Sequence, residues 1–109
     1  MTFEEFLAEL GYELLQHNRD GTKRFALRSN PYLQWWVNTY LDGTADLTWE
    51  FELGEYVKAK GFTVSVQDEL SLMLYPRVDV RGPASSDWLE AEMTRIADLL
   101  GSVDLVKGV

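Results

Sequence analysis

The stretch from Leu33 to Leu53, LQWWVNTYLDGTADLTWEFEL, constrains this chain more than any other. Asp42-Gly43 separates two alternating runs that hold three of the four tryptophans, the signal of two strands joined by a tight turn. Loop length then decides which side chains share a face. A two-residue loop would set Trp35, Val37 and Thr39 opposite Asp46, Thr48 and Glu50, mixing apolar and acidic groups on both faces. A three-residue loop, Leu41-Asp42-Gly43 with Gly43 left-handed, makes Leu33, Trp35, Val37 and Thr39 face Phe51, Trp49, Leu47 and Ala45. One face is then apolar apart from a threonine methyl, and the other carries Gln34, Trp36, Asn38, Tyr40, Asp46, Thr48, Glu50 and Glu52. A one-residue slip would send every side chain to the wrong face, so burial selects the odd-numbered loop.

The flanking sequence reads as further elements of one α+β domain spanning residues 1–109. Thr2-Phe3-Glu4-Glu5 is a capping box, followed by Phe6, Leu7 and Leu10 at helical spacing. Gly11 can end this helix, leaving Tyr12–His17 as a strand that turns through Asn18-Arg19-Asp20-Gly21 into Thr22–Arg28. The competing reading runs the helix on to His17, because Leu14 and Leu15 also fit its stripe; the Asn/Asp/Gly turn, which needs a strand on each side, favours the break. After the hairpin, Gly54 opens a short helix over Glu55–Lys60, closed by Gly61 with Phe62 as its hydrophobic contact. Phe62, Val64 and Val66 alternate as one strand, and Leu70, Leu72 and Leu74 as the next, turning at Asp68-Glu69. Pro76 interrupts before Val78–Arg81, so this strand bulges or lies on an edge, and Gly82-Pro83 ends the sheet. Ser85-Ser86-Asp87 caps a last helix with a stripe of Leu89, Met93, Ile96, Leu100 and Val103 and a C-cap at Gly101; the tail to Val109 adds a strand or frays. Trp88 lies off that stripe, as a core-edge residue does. No internal repeat, low-complexity run or interdomain linker is visible.

The expected fold is therefore two-layered: an antiparallel sheet of about six strands, the N-terminal and C-terminal helices on one face, and a short helix between strands 4 and 5. In order of elements it is similar to the type III secretion chaperones, which are small, acidic, cysteine-poor α+β proteins, with one strand more in the first half. The likeness is of topology and carries no residues.

Charge narrows function. Ten basic against eighteen acidic residues leave −8, and half of that excess sits in residues 33–53, which hold four acids and no base. Direct nucleic-acid binding is disfavoured, since that affinity comes from Lys and Arg on phosphates. A protein partner with a basic surface is the better electrostatic match. There is no cysteine, so disulfides and thiolate chemistry are excluded, and a cytoplasmic setting is compatible. The acidic N-terminus lacks a signal-peptide pattern, and the longest apolar run, Leu72–Tyr75, is far too short for a membrane span.

No catalytic constellation stands out. His17, the only histidine, has no nucleophile signature beside it and reads as a turn residue. The acids and the single histidine form no metal-ligand pattern, the glycines form no phosphate loop, and no cofactor is expected. Glu50 and Glu52, two apart on one strand face, match the carboxylate separation of an inverting glycosidase, but on an open face nothing would drive their pKa values apart. Catalysis is not expected there.

The more informative residues are Trp36 and Tyr40, large aromatics on the outer face beside Asp46, Glu50 and Glu52; Trp and Tyr are enriched among protein-binding hot spots. Either that face is open, or the short helix or the C-terminal tail covers it and Trp36 is ordinary core. The expectation is a small acidic, non-enzymatic protein-binding module of inhibitor, immunity, adaptor or chaperone type, with Trp36, Tyr40, Asp46, Glu50 and Glu52 as its contact surface. One alternative is a small-molecule site between sheet and helices lined by Trp35, Trp49, Phe51 and Met93. Another is a nucleic-acid mimic targeting a basic DNA-binding protein. An exposed edge strand or the Trp36/Tyr40 patch can also support a homodimer.

Overall fold

The computed structural model describes residues 1–63 and 72–102. Along the chain they form α1 (Phe3–Leu10), β1 (Glu13–His17), β2 (Lys23–Arg28), β3 (Leu33–Thr39), β4 (Thr44–Glu52), α2 (Leu53–Ala59), β5 (Met73–Leu74), β6 (Val80–Pro83) and α3 (Ser86–Gly101). The fold is α+β, with a six-stranded antiparallel sheet whose first four strands lie in chain order; β5 and β6 share the free edge of β4.

The central hairpin adopts the three-residue loop. Tyr40 N–H donates to Thr44 C=O at 3.0 Å, Gly43 has φ +83°, and the cross-strand pairs are Leu33–Phe51, Trp35–Trp49, Val37–Leu47 and Thr39–Ala45. The apolar face is the buried one: Trp35, Val37, Ala45, Leu47 and Trp49 form one cluster with Phe25 of β2, Leu7 of α1 and Leu89 and Ile96 of α3. Both longer helices therefore cover the same face of the sheet. Burial of each such large side chain contributes about 1.5–3 kcal/mol, which is what holds the register.

Local signals set the ends of α1. The Thr2 hydroxyl accepts from Glu5 N–H at 3.1 Å, the Glu5 carboxylate accepts from Thr2 N–H, and Gly11, at φ +101°, closes the helix. The break at Gly11 frees Glu13–His17 to pair with β2. That pairing skips a residue between Leu14–Phe25 and Gln16–Arg24, so Leu15 is the extra residue of a bulge. All five residues of β1 are exposed, and a bulge on such an edge disturbs the row of free N–H and C=O groups that another strand would need.

One short repeat does occur. Asp20-Gly21-Thr22 and Asp42-Gly43-Thr44 build the same turn, each glycine left-handed, each aspartate Oδ1 accepting from the threonine N–H at 3.0 Å and from its hydroxyl at 2.7 and 2.6 Å. The β1–β2 loop is thus three residues long, closed by Asn18 N–H on Thr22 C=O at 2.8 Å.

The second half departs more from expectation. Helix α2 starts at Leu53, with Gly54 buried inside its first turn; that turn's N–H groups have no partner within the helix, and Gly54 N–H donates to Leu72 C=O at 2.9 Å, tying the chain just before β5 to the helix. Gly61 is left-handed at φ +100° and Phe62 N–H reaches Val57 C=O, as in a helix stop, but the Phe62 ring is 66% exposed and makes no hydrophobic closure. Phe62 and Thr63 are not in a strand; the rest of that expected strand, the Asp68-Glu69 turn and Leu70 lie outside the described residues. Strand β5 pairs Leu74 with Phe51, and β6 pairs Val80 with Leu47. Between these pairs 75–79 bows out opposite 48–50, the bulge expected around Pro76. Gly82 and Pro83 extend the sheet instead of ending it, because Pro83 sits where no further strand among the described residues requires its missing N–H. Helix α3 is capped by the Ser85 hydroxyl and continues through Gly101 to a C-cap at Ser102; Val103 and the tail fall outside the described residues.

Candidate functional site

The candidate site is the outer face of the sheet. The helical members of the core pack on the opposite face, and Tyr56 of α2 also packs there, its ring centroid 5.5 Å from that of Phe51. Among the described residues no helix covers the outer face. Its strands arrange side chains in cross-strand rows: Gln16, Arg24, Asn38, Asp46 and Arg81 in one, Glu13, Ala26, Trp36 and Thr48 in the next, Arg28, Gln34 and Glu50 in a third.

Trp36 lies at the middle of this face and is half-buried. The Arg24 guanidinium stacks on its indole, 5.2 Å from the ring centroid, a cation–π contact. Asp46 is only 7% exposed, and both its oxygens are taken: Oδ1 accepts from Asn38 Nδ2 at 2.8 Å and Oδ2 from the Tyr40 hydroxyl at 2.5 Å. Burying a carboxylate on a sheet is tolerated because these two donors replace its water. The Asp46 hydrogen bond holds the Tyr40 hydroxyl above its ordinary pKa, burial and the carboxylate's charge push the same way, and Arg81 opposes them. Arg81 lies 4.0 Å over the Tyr40 ring, donates to Thr44 Oγ1 at 2.9 Å and reaches Asp42 at 3.4 Å. These contacts fasten β6 to the hairpin turn.

Glu52 pairs with Arg28 at 3.5 Å, while Arg28 also donates to Gln34 and to the Pro31 carbonyl. Glu50 is half-buried, opposite Gln34, and makes no ion pair among the described residues. Of the five expected contact residues, Trp36 and Glu50 keep side chains available on this face, Glu52 is partly engaged, and Tyr40 and Asp46 are held by each other. Three arginines join them: Arg24 and Arg28 from β2, and Arg81 from β6. The acidic balance of the hairpin sequence is therefore not the balance of the face. The signal for two of these arginines was available in the alternation of Arg24, Ala26 and Arg28 against Lys23, Phe25 and Leu27.

The other candidates lie elsewhere. His17 is exposed at the end of β1, opposite Lys23. An apolar cleft of about 400 Å³ opens at the far end of the buried face, lined by Leu33, Phe51, Leu53, Tyr56, Leu74 and Leu100 among others. Of the ligand-site lining expected from sequence only Phe51 belongs to it; Trp35 and Trp49 are core, and Met93 accepts a hydrogen bond from the Tyr12 hydroxyl through its sulfur at 3.4 Å. Among the described residues no group of His, Asp and Glu is placed to hold a metal, and no helix is long and apolar enough to cross a membrane.

No protein-family model matches the sequence, and neither the curated proteins nor the solved structures include a significant match.

Proposed function

We propose that this chain is a non-enzymatic protein-binding module that docks through the outer face of its sheet, with Trp36 at the centre of the contact. The observation that carries the reading is a tryptophan in the middle of a sheet face free of helices among the described residues, capped by an arginine that lies over the indole and makes no ion pair among those residues. Tryptophan and arginine are the residue types that most often dominate binding energy, and here the sheet holds both in place before binding, which lowers the entropy cost. The partner need not be strongly basic: with Asp46 satisfied internally and three arginines on the face, a surface of mixed charge complements it best. The same mixture of charge makes a protein-binding face a better-supported reading than a nucleic-acid mimic, which displays acids alone. Inhibitor, immunity, adaptor and chaperone roles all fit such a module, and a cytoplasmic setting fits its lack of cysteine.

Site-specific photocross-linking tests the reading. A benzoylphenylalanine at Thr48, beside Trp36, is expected to give a discrete cross-linked product in the cells that make the protein, and one at Thr94, exposed on α3, none. Trp36→Ala should abolish the Thr48 product while the variant stays folded. Cross-links only from Thr94, or none from either position, would remove the proposed surface.

A further inference from the structure

The outer face carries a diagonal that complements itself. Arg24 on β2 lies opposite Asn38, two residues along β3 from Trp36; Glu50 on β4 lies two residues beyond Thr48, the residue opposite Trp36. Cation, indole and anion thus fall on one line across three strands, with Trp36 at the midpoint. From strand rise and spacing, the Cα atoms of Arg24 and Glu50 are roughly 17 Å apart. Among the described residues neither of these two side chains is in an ion pair, whereas Arg28, Arg81 and Asp46 are all engaged.

Consider a second copy laid face to face, with a two-fold axis lying between the faces, perpendicular to this diagonal and passing over Trp36. Each Arg24, turned from its own indole toward the end of the diagonal where its backbone stands, then meets the Glu50 of the other copy, and the two Trp36 side chains lie either side of the axis. Two-fold interfaces place the same patch on both subunits, so they need this kind of self-complementary charge order. Arg24 and Glu50 would each gain the opposite charge that the described residues of their own chain do not supply. The bulge in β1 makes the alternative, pairing of edge strands, the poorer route.

We infer that the partner of this face is a second copy of the chain, forming a two-fold dimer in which Arg24 of each copy swings off its own indole to pair with Glu50 of the other, one pair on either side of the two Trp36 side chains. The inference rests on the outer face being the docking surface proposed above, and names its occupant. From strand spacing the face measures roughly 500 Å², at the low end for a specific interface. The dimer is therefore weak and its population depends on concentration.

Sedimentation velocity over a micromolar-to-millimolar range, on the full chain, tests this. Wild type should pass from monomer to dimer. Arg24→Glu alone and Glu50→Arg alone should each weaken dimerisation by at least about tenfold, because like charges then meet twice per interface. Mixing those two variants should restore association as a heterodimer, since each supplies the charges the other lacks, and the double variant carrying both changes should again self-associate. Circular dichroism on each variant separates loss of the interface from loss of the fold, and the mixture provides an internal rescue. A wild-type chain that stays monomeric, or variants that dimerise as well alone as when mixed, overturns the dimer. In that case Thr48 cross-linking to a different protein would still support the docking face, so the two readings fail separately.

Discussion

The indole of Trp88 lies directly against the α-carbon of Gly82, so close that a methyl group on Gly82 would overlap the ring. Gly82 pairs with Ala45 on β4, and Trp88 stands in the first turn of α3. Two small residues side by side in the sheet leave the depression that the indole fills, and Trp88 packs there at the border of the core. Gly82→Ala is expected to destabilise the protein by about 1–3 kcal/mol through overpacking, read as a lower urea midpoint. In a Trp88→Leu background the same substitution should cost clearly less. Equal costs in both backgrounds would show that the indole is not what the methyl meets.

The two Asp-Gly-Thr turns predict a difference between their glycines. Both are left-handed, but an added Cβ at Gly43 meets nothing within 4 Å, whereas at Gly21 it meets the Leu41 side chain at 2.7 Å. Gly43→Ala should cost only the conformational strain, about 1–2 kcal/mol, and Gly43→Asn less, because asparagine tolerates the left-handed region. Gly21→Ala should cost more until Leu41→Ser, an exposed change, brings the two into line. Thermal unfolding of the single and double variants measures this.

Asp46 is expected to matter for stability more than for binding. Asp46→Ala strands the Asn38 amide and the Tyr40 hydroxyl, and should cost about 2–3 kcal/mol, close to the penalty for unsatisfied part-buried donors. Tyr40→Phe leaves the carboxylate one donor short and should cost about 1.5–3 kcal/mol, as for hydrogen bonds to charged groups. The double variant should be less destabilised than the sum. Additive costs in chemical denaturation would mean that the pair acts independently.

Stability should also fall at alkaline pH. Burial pushes the Tyr12 hydroxyl well above the ordinary tyrosine range, and its one acceptor among the described residues is the weak Met93 sulfur. Above about pH 10 the unfolded chain ionises this phenol while the folded chain keeps its proton, so the stabilisation is complete below the unfolded pKa and is lost as pH rises, by about 1.4 kcal/mol per unit. Tyr12→Phe should flatten this alkaline limb. Tyr40, raised by Asp46, acts in the same direction. On the acid side the Thr22 and Thr44 side chains hold Asp20 and Asp42 below the usual carboxylate range; the stability this gives is present above the unfolded pKa and is lost as pH falls. Denaturant midpoints against pH, in wild type and in Asp20→Asn plus Asp42→Asn, check both limbs.

How much was legible depends on how far along the chain each partner lies. The Thr2–Glu5 capping box, the Gly11 stop and the Gly43 loop are set within a few residues, and each stands in the structure where the sequence places it. The strand around Pro76 was legible as an interruption but not as two separate pairings with β4, since nothing near Met73 or Val80 encodes which part of β4 each will meet. Asp46 could be assigned to the outer face, yet its burial could not, because Tyr40 and Asn38 close over it only in the folded sheet.

The sequence by itself determined the parity of the central hairpin, and hence that Trp35 and Trp49 face inward and Trp36 outward; alternation and turn chemistry are local, and burial punishes the wrong choice at every position. Tertiary structure decided what surrounds Trp36. Only the pairing of β2 and β6 with the hairpin brings Arg24, Arg28 and Arg81 onto a face whose own two strands carry no base, because neighbours across a sheet are set by pairing between distant segments, which no local pattern specifies.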